Sequence, residues 1–233
     1  MRRRPRPQTC ARGRERPPLA EWDLLDTDAF GLSRHARVGA SGLLGRYLGV
    51  LSDDGEVVLR ITELEAYEGE NDPASHAYRG RTPRTEPMFG DAGTIYVYRS
   101  YGIHLCINVV WGTEGVATAS LMRAGEVVRG EQLMAARRPK AKSPRDWARG
   151  PGNFGAALGL TMADSGAHLG DGRWRLYEGR PAEPELIRSG PRVGVREFEG
   201  SGQYPWRFWI DGDPTVTAYR PGPTVDENGR VIR

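Results

Sequence analysis

The chain has 233 residues, of which 38% are apolar, and a formal net charge of +3. A chain of this length can bury one good core, and no stretch of it approaches the ~18 apolar residues that a membrane-spanning helix needs. Composition therefore argues against a membrane protein and against a membrane partner, and it predicts one soluble catalytic domain with a short appendage.

Cysteine and histidine usage limits the compartment and the chemistry. The chain has only Cys10 and Cys106, and its four histidines never combine with them in a metal-ligand spacing. The first residues, MRRRPRPQTC, lack the apolar segment of a secretory signal. We therefore expect a cytoplasmic protein without a disulfide framework or a metal. A monomer without a cofactor is also expected.

Positive charge is concentrated at the N-terminus. Residues 1–20 hold seven arginines and one glutamate, so they account for all of the net positive charge. An Arg/Pro-rich segment of this kind buries too little apolar surface to fold and is predicted to be a disordered tail, with one folded domain over residues 21–233. Within that domain, residues 76–149 carry twelve basic and six acidic residues. A phosphate backbone could dock on this block, although a solvated face is the ordinary alternative.

The predicted elements favour strands over helices. Apolar pairs between residues 24 and 50 predict two short helices, and EVVLRITELEAY, at residues 56–67, predicts a strand. A long connection over residues 68–93 follows. Residues 94–111 predict a hairpin with Tyr101 near its tip.

The second half continues the same pattern. A strand is predicted within residues 115–127, a short helix at 131–138, and a further helix behind the Gly-Pro-Gly of a basic loop. Late strands are predicted in three segments, at residues 173–179, 191–198 and 206–212. Because no βαβ alternation is present, we predict an α+β fold with a mainly antiparallel sheet.

Two carboxylates stand out in the stretch ITELEAY. On a strand, Glu63 and Glu65 share a face with Ile61 and Tyr67 and lie ~6.6 Å apart along the strand. Inverting sugar hydrolases hold their two carboxyl groups about 6.5–9.5 Å apart, so one carboxylate could activate water. A solvent-exposed polar face is the alternative for any isolated Glu-x-Glu pair.

Arg123 lies within the apolar segment SLMRAG. An unpaired buried charge is very costly, so an arginine in a buried strand needs a carboxylate partner. Glu65 or Glu63 is the candidate partner. The sequence leaves the choice between them open.

Several motifs occur together in one order along the chain: ITELEAY, DPASHAYRGRTPR, GTIYVYRSYGIHLCINVV, LMRAGE, GPGN and RVGV. Together they closely resemble the alkyladenine (3-methylpurine) DNA glycosylase family over roughly residues 20–220. The resemblance implies one curved antiparallel sheet flanked by helices, and a protruding β-hairpin that enters the minor groove of duplex DNA.

The resemblance also implies catalytic roles. Glu65 matches the general base of the family, and Arg123 matches the arginine that helps to hold the attacking water. Tyr101 matches the hairpin residue that fills the gap left by an extruded base. A large side chain at a hairpin tip is how minor-groove proteins occupy an opened base step.

The remaining matches describe a base pocket. Tyr67, His76 and Tyr98 match aromatic residues that sandwich and contact the extruded base. Asn108 matches the asparagine at the pocket floor, where it can obstruct the exocyclic amino group of guanine. Aromatic faces suit this task because a flipped base is held by stacking.

Contacts to the DNA backbone are expected from basic and glycine-rich positions, namely Arg79, Arg81, Arg84, Gly152 and Asn153. Two positions depart from the family pattern. Asn153 stands where relatives commonly have a lysine, and Glu86 stands where many have an uncharged residue.

The sequence thus favours a monofunctional DNA glycosylase that removes alkylated purines from double-stranded DNA, 3-methyladenine first. Hypoxanthine and ethenoadenine are further candidate substrates. A non-catalytic nucleic-acid-binding protein on the same scaffold is the alternative, and a hydrolase of free sugars or nucleosides is a third reading. The only two lysines of the chain, Lys140 and Lys142, fall in the basic loop. A Schiff-base lyase step is therefore not expected.

Overall fold

A computed structural model describes residues 22–196, 203–225 and 231–232 of the chain. The predicted tail falls outside these described residues. The helices are α1 (Thr27–Phe30), α2 (Ala36–Gly39), α3 (Glu131–Arg137) and α4 (Pro151–Leu158). The strands are β1 (Tyr47–Ser52), β2 (Gly55–Tyr67), β3 (Ile95–Ser100), β4 (His104–Trp111), β5 (Thr118–Arg129), β6 (Ala148–Arg149), β7 (Trp174–Tyr177), β8 (Ile187–Gly190), β9 (Arg207–Ile210), β10 (Thr224–Val225) and β11 (Val231–Ile232).

Nine of these strands form one open sheet in which every pair is antiparallel. Its main path runs β3-β4-β5-β2-β1-β7, with β6 added to β5 and the β8-β9 pair added to β2. The long strands β2 and β5 lie at the centre. The predicted α+β fold with a mainly antiparallel sheet is therefore confirmed, and β10 and β11 form a separate two-stranded pair.

Strand β2 is buried along most of its length, although its sequence contains three glutamates and one arginine. Consecutive residues are buried from Ile61 to Ala66, so both faces of this part of the strand are covered. Helix α4 packs close to the sheet, and its Phe154 is fully buried. A Cβ at Gly125 would lie 2.9 Å from the ring of Phe154, so glycine at this position of β5 permits the close approach.

Three register shifts interrupt the pairing of β2 with β5, and two of them flank Glu63. Thr62 is the extra residue on β2, and Arg123 is the extra residue on β5. Such bulges re-aim side chains and are frequent beside active sites. Ile61 packs in the same core as Leu64 and Ala66, and not on the face of Glu63 and Glu65 where the sequence placed it. The predicted alternation of faces therefore holds only after the bulge.

Two predicted elements are wrong. Tyr47 and Leu48, read as part of a helix, lie in β1 between β2 and β7; a short apolar pair carries too little periodicity to separate the two structures. Residues 191–196 are not a strand. The chain turns there, with φ of 73° at Gly194, and Arg192 is committed to a buried ion pair.

Two features, one typical of membrane proteins and one of metalloproteins, are absent from the described residues. Among them, no helix has both the length and the apolar character required to cross a bilayer. They also contain no group of three or more His, Cys, Asp and Glu side chains that could hold a metal ion.

Candidate active site

Glu65 is fully buried near the end of β2, and both of its carboxylate oxygens are engaged. The backbone N–H of Val193 donates to Oε1 at 2.7 Å, and the hydroxyl of Tyr67 donates to Oε2 at 2.9 Å. Nη1 of Arg123 lies 3.3 Å from Oε1. These contacts from three separate segments fix the orientation of the carboxylate.

Glu63 is the second buried carboxylate and has a more extensive set of partners. It accepts from Nε of Arg123 at 2.9 Å and from Nε of Arg207 at 2.8 Å, and both the N–H and the hydroxyl of Thr217 donate to it. Burial by itself raises the pKa of Glu63, but the two arginines and Thr217 outweigh it and hold the pKa below its ordinary value.

Arg123 therefore binds both candidate carboxylates, which answers the question that the sequence left open. Burial disfavours its charge, but Glu65 and then Glu63 outweigh this effect and raise the pKa of Arg123. The bulge at Arg123 takes it out of register with β2. The result is a fixed cation that links the two carboxylates.

A small pocket of about 50 Å³ opens beside this cluster. Its walls include all four residues predicted for the base pocket, namely Tyr67, His76, Tyr98 and Asn108. Three further residues complete the lining: Ala74, Met88 and Tyr96. The fold brings these residues together from β2, from the connection after it, and from the β3–β4 hairpin.

Tyr96 organises the interior of the pocket. Asn108 lies opposite Tyr96 in the register of the hairpin and donates from Nδ2 to its carbonyl oxygen at 3.1 Å. The Tyr96 hydroxyl lies 3.0 Å from Nδ1 of His76. Tyr98 stacks beside Tyr96, with ring centroids 5.9 Å apart. Tyr96 is therefore buried in the core and also lines the cavity.

His76 stands at the mouth of the pocket. Its ring meets the ring of Tyr98 edge to face, with centroids 4.5 Å apart. Part of the His76 side chain is open to solvent. Burial of the rest is the larger cause, and the charge of Arg84 the smaller, that lowers the pKa of His76 to about 4. The imidazole is therefore neutral at pH 7, with a polar edge and an uncharged face.

The hairpin of β3 and β4 ends in an exposed tip. Tyr101 is 93% exposed and Ile103 is 71% exposed, so neither contributes to the core. Tyr101 has φ of 49° and is the only non-glycine with positive φ among the described residues, next to Gly102 at 74°. A turn that holds a bulky side chain in this conformation presents it to solvent rather than to the sheet.

The predicted backbone contacts fall into different environments. Arg79 is exposed, whereas Arg84 lies over the ring of Tyr98 at 5.9 Å and within 3.4 Å of His76. Arg81 is paired with Glu86 at 2.7 Å. Arg84 thus lies beside two residues of the pocket, and Arg81 already has an internal carboxylate partner.

Gly152 and Asn153 lie in the first turn of α4. A Cβ at Gly152 would lie 2.8 Å from His104, so glycine allows this turn to approach the hairpin next to its tip. Asn153 is turned back onto the chain and donates from Nδ2 to the carbonyl oxygen of Arg149 at 2.7 Å. The side chain of Asn153 therefore serves the local structure of the loop.

Comparison with protein families places this geometry in context. A family model described as methylpurine-DNA glycosylase matches residues 31–214, which is well over half of the chain and includes every predicted site residue. The chain belongs to the methylpurine-DNA glycosylase family. Membership supports a hydrolase that acts on N-glycosyl bonds in DNA.

Individual proteins with similar sequences support the match to the family model. A protein of Rhodococcus jostii is 53% identical over 176 residues, covering 72% of the chain and 76% of the relative. One of Streptomyces avermitilis is 47% identical over 184 residues, covering 78% and 85%. One of Corynebacterium glutamicum strain R is 45% identical over 211 residues, covering 88% and 96%. The name of each relative proposes a 3-methyladenine DNA glycosylase.

Sequence reasoning missed several residues of the site. Arg207 and Thr217 hold Glu63, and Val193 holds Glu65 through its backbone. Arg192 and Asp72 form a fully buried ion pair beside them. The motif RVGV, which contains Arg192 and Val193, contributes to the prediction only through the family resemblance. No local sequence pattern identifies the partner of a single arginine near the end of the chain, because its contacts form only when distant segments fold onto β2.

Proposed function

We propose that the chain is a monofunctional DNA glycosylase that extrudes alkylated purines from duplex DNA and hydrolyses the N-glycosidic bond, leaving an abasic site. 3-Methyladenine is the first substrate, with hypoxanthine and ethenoadenine as further candidates. The observation that carries this proposal is the buried carboxylate of Glu65, held by Arg123 and Tyr67 next to an aromatic pocket.

Glu65 acts as the general base. Its carboxylate takes a proton from a water molecule whose oxygen bonds to C1′ of the damaged nucleotide as the bond from C1′ to the base breaks. The electrons of that bond leave with the base, and a base that carries an alkyl group and a positive charge departs as a neutral molecule. The sugar develops oxocarbenium-like charge, which a nearby carboxylate stabilises.

Arg123 orients Glu65 and holds the attacking water. Its guanidinium is fixed by Glu63 as well as by Glu65, so it is preorganised before substrate arrives. Glu63 accepts from Arg123 directly and is itself held by Arg207. We assign Glu63 a structural role, because its oxygens are occupied by four donors.

The pocket receives the extruded base. Tyr67 and His76 stack against its faces, Tyr98 contacts it, and Asn108 excludes the amino group of normal guanine. Flipping costs a few kcal/mol, which stacking on aromatic faces offsets. Tyr101 at the hairpin tip enters the minor groove and fills the space that the base leaves.

No lyase step is included. A glycosylase-lyase forms a Schiff base from an amine, and the only lysines of the chain, Lys140 and Lys142, are exposed in the loop that follows α3. The abasic site is therefore expected to remain intact until alkali is added.

The test uses duplex oligonucleotides with a single hypoxanthine or ethenoadenine, together with methylated DNA. Released base is measured by chromatography, and abasic sites are scored as alkali-labile breaks. Base release from at least one of these substrates, with strand breaks only after alkali, is expected. Binding without release of any base would contradict the enzymatic proposal, and breaks without alkali would contradict the monofunctional one.

A further inference from the structure

Arg192 is a fully buried arginine that contacts three parts of the site at once. Nη1 and Nη2 of its guanidinium pair with the two oxygens of Asp72 at 2.6 and 2.8 Å. Nη1 also donates to the carbonyl oxygen of Ala66 at 3.0 Å. Ala66 lies between Glu65 and Tyr67 on β2, and Asp72 lies four residues before His76 in the connection that carries it. The side chain therefore links β2 to that connection.

The guanidinium also lies against an aromatic ring of the pocket. Its central carbon is 4.6 Å from the centroid of Tyr67. Tyr67 lines the cavity, whereas Arg192 is fully buried and absent from the lining, so the cation occupies the face of the ring turned away from the pocket. Trp206 and Tyr204 lie farther out, at 5.3 and 5.8 Å, and enclose the same cation.

A cation on one face of an aromatic ring draws on the same π electrons that would attract a cation on the other face. Tyr67 is therefore less favourable to a positively charged base than an unsupported tyrosine would be. Asp72 partly balances the charge, but it meets the outer nitrogens of the guanidinium. The ring of Tyr67 instead lies against the central carbon of the guanidinium.

We propose that Arg192 is a positioning residue that holds the ring of Tyr67 in place and, by its charge behind that ring, lowers the preference of the pocket for cationic over neutral damaged bases. This inference rests on the proposed function, because it concerns the base that Tyr67 would stack against. The backbone of the next residue, Val193, holds Glu65, so the same turn sets both the stacking wall and the general base.

The test compares release of hypoxanthine, a neutral base, with release of 7-methylguanine, a cationic one, under single-turnover conditions. Arg192→Met removes the cation and should raise the ratio of 7-methylguanine to hypoxanthine release about three-fold, the scale of a weak cation–π contact. Asp72→Asn keeps the cation and a hydrogen-bond acceptor but removes the balancing charge. It should shift the ratio in the opposite direction.

Arg173→Met is the matched control. Arg173 also pairs with an aspartate, Asp164, at 3.0 Å and lies 5.4 Å from the ring of Trp174, which is in the main core rather than the pocket. Its loss should lower stability without changing the ratio. A general loosening of the fold would shift the ratio of 7-methylguanine to hypoxanthine release in the same direction in Arg192→Met and Asp72→Asn. The proposal requires opposite directions.

The outcomes separate this inference from the proposed function. If wild type and Arg173→Met release base but the Arg192 and Asp72 variants keep the wild-type ratio, or move together, the inference fails and the enzyme assignment stands. If wild type releases only one of the two bases, the rate on that base must still move oppositely in the two variants. If wild type releases neither, the proposed function itself fails.

Discussion

The hydroxyl of Tyr67 donates a hydrogen bond to Oε2 of Glu65 at 2.9 Å, so the ring proposed to stack on the base is joined directly to the proposed general base. Burial, and then the charge of Glu65, raise the pKa of Tyr67 well above its ordinary value. The hydroxyl therefore remains protonated and keeps donating throughout the working pH range.

Tyr67→Phe keeps the stacking ring but removes this donor. A hydrogen bond to a charged group contributes about 1.5–3 kcal/mol, so we expect the single-turnover rate of base release to fall by about ten-fold or more. Binding of lesion-containing duplex should change little, because the aromatic face is retained. A rate equal to that of wild type would show that the Tyr67 hydroxyl does not orient Glu65.

Glu63→Gln should destabilise the fold more than most single changes. Arg123 and Arg207 both donate to Glu63, and breaking a buried pair leaves an uncompensated charge at a cost of about 3–5 kcal/mol. Urea unfolding would measure the loss of free energy. Glu183→Gln, an exposed carboxylate, is the control and should change stability by less than about 0.5 kcal/mol.

The same carboxylate predicts a pH dependence of stability. Because the pKa of Glu63 is lower in the folded protein than its ordinary value of 4.5, its contribution is complete above about pH 4.5 and is lost as pH falls through the lowered value. The difference in unfolding free energy between wild type and Glu63→Gln should therefore be constant from pH 5 to 8 and narrow in acid. A difference that grows in acid would contradict this sign.

His76 should titrate in acid rather than near neutrality. Partial burial and Arg84 lower its pKa to about 4, so an NMR titration should show the His76 imidazole changing with a midpoint close to 4. Arg84→Ala removes one of the two causes and should raise the midpoint. A midpoint of 6.5 or higher in the wild type would mean that the ring is charged over part of the working pH range.

Glu86→Gln tests whether an internal carboxylate competes with DNA for Arg81. Their side chains pair at 2.7 Å and are each half exposed, so the pair is accessible to a phosphate. Removing the acid should tighten duplex binding and steepen the slope of log affinity against log salt by about 0.9, the effect of one added phosphate contact. Glu183→Gln serves as the control, and an equal slope in both variants would exclude the competition.

Much of the fold could be predicted from local patterns. The β-branched run of β2 and the turn at Tyr101 both lie where the sequence placed them, because alternation and turn residues act over a few positions. The bulges at Thr62 and Arg123 could not be predicted, since a register shift depends on the partner strand. That is why Ile61 was grouped with the wrong face.

The candidate site shows the same division. A buried arginine needs a carboxylate, so Arg123 could be paired with Glu63 or Glu65 from the sequence, and it binds both. The other partners of Glu63, Arg207 and Thr217, could not be predicted, because they come from about 150 residues farther along the chain. Contacts of that range follow from the way β9 adds to the end of β2.

Glu65→Gln most directly tests the role of the buried carboxylate. Glutamine keeps the size and the hydrogen-bonding oxygen of the side chain but cannot accept a proton from water at neutral pH. The variant should bind duplex carrying a damaged purine as tightly as wild type while releasing base at least about a hundred-fold more slowly, the lower bound of a typical general-base contribution. Release at the wild-type rate by a correctly folded Glu65→Gln protein would contradict the proposed mechanism.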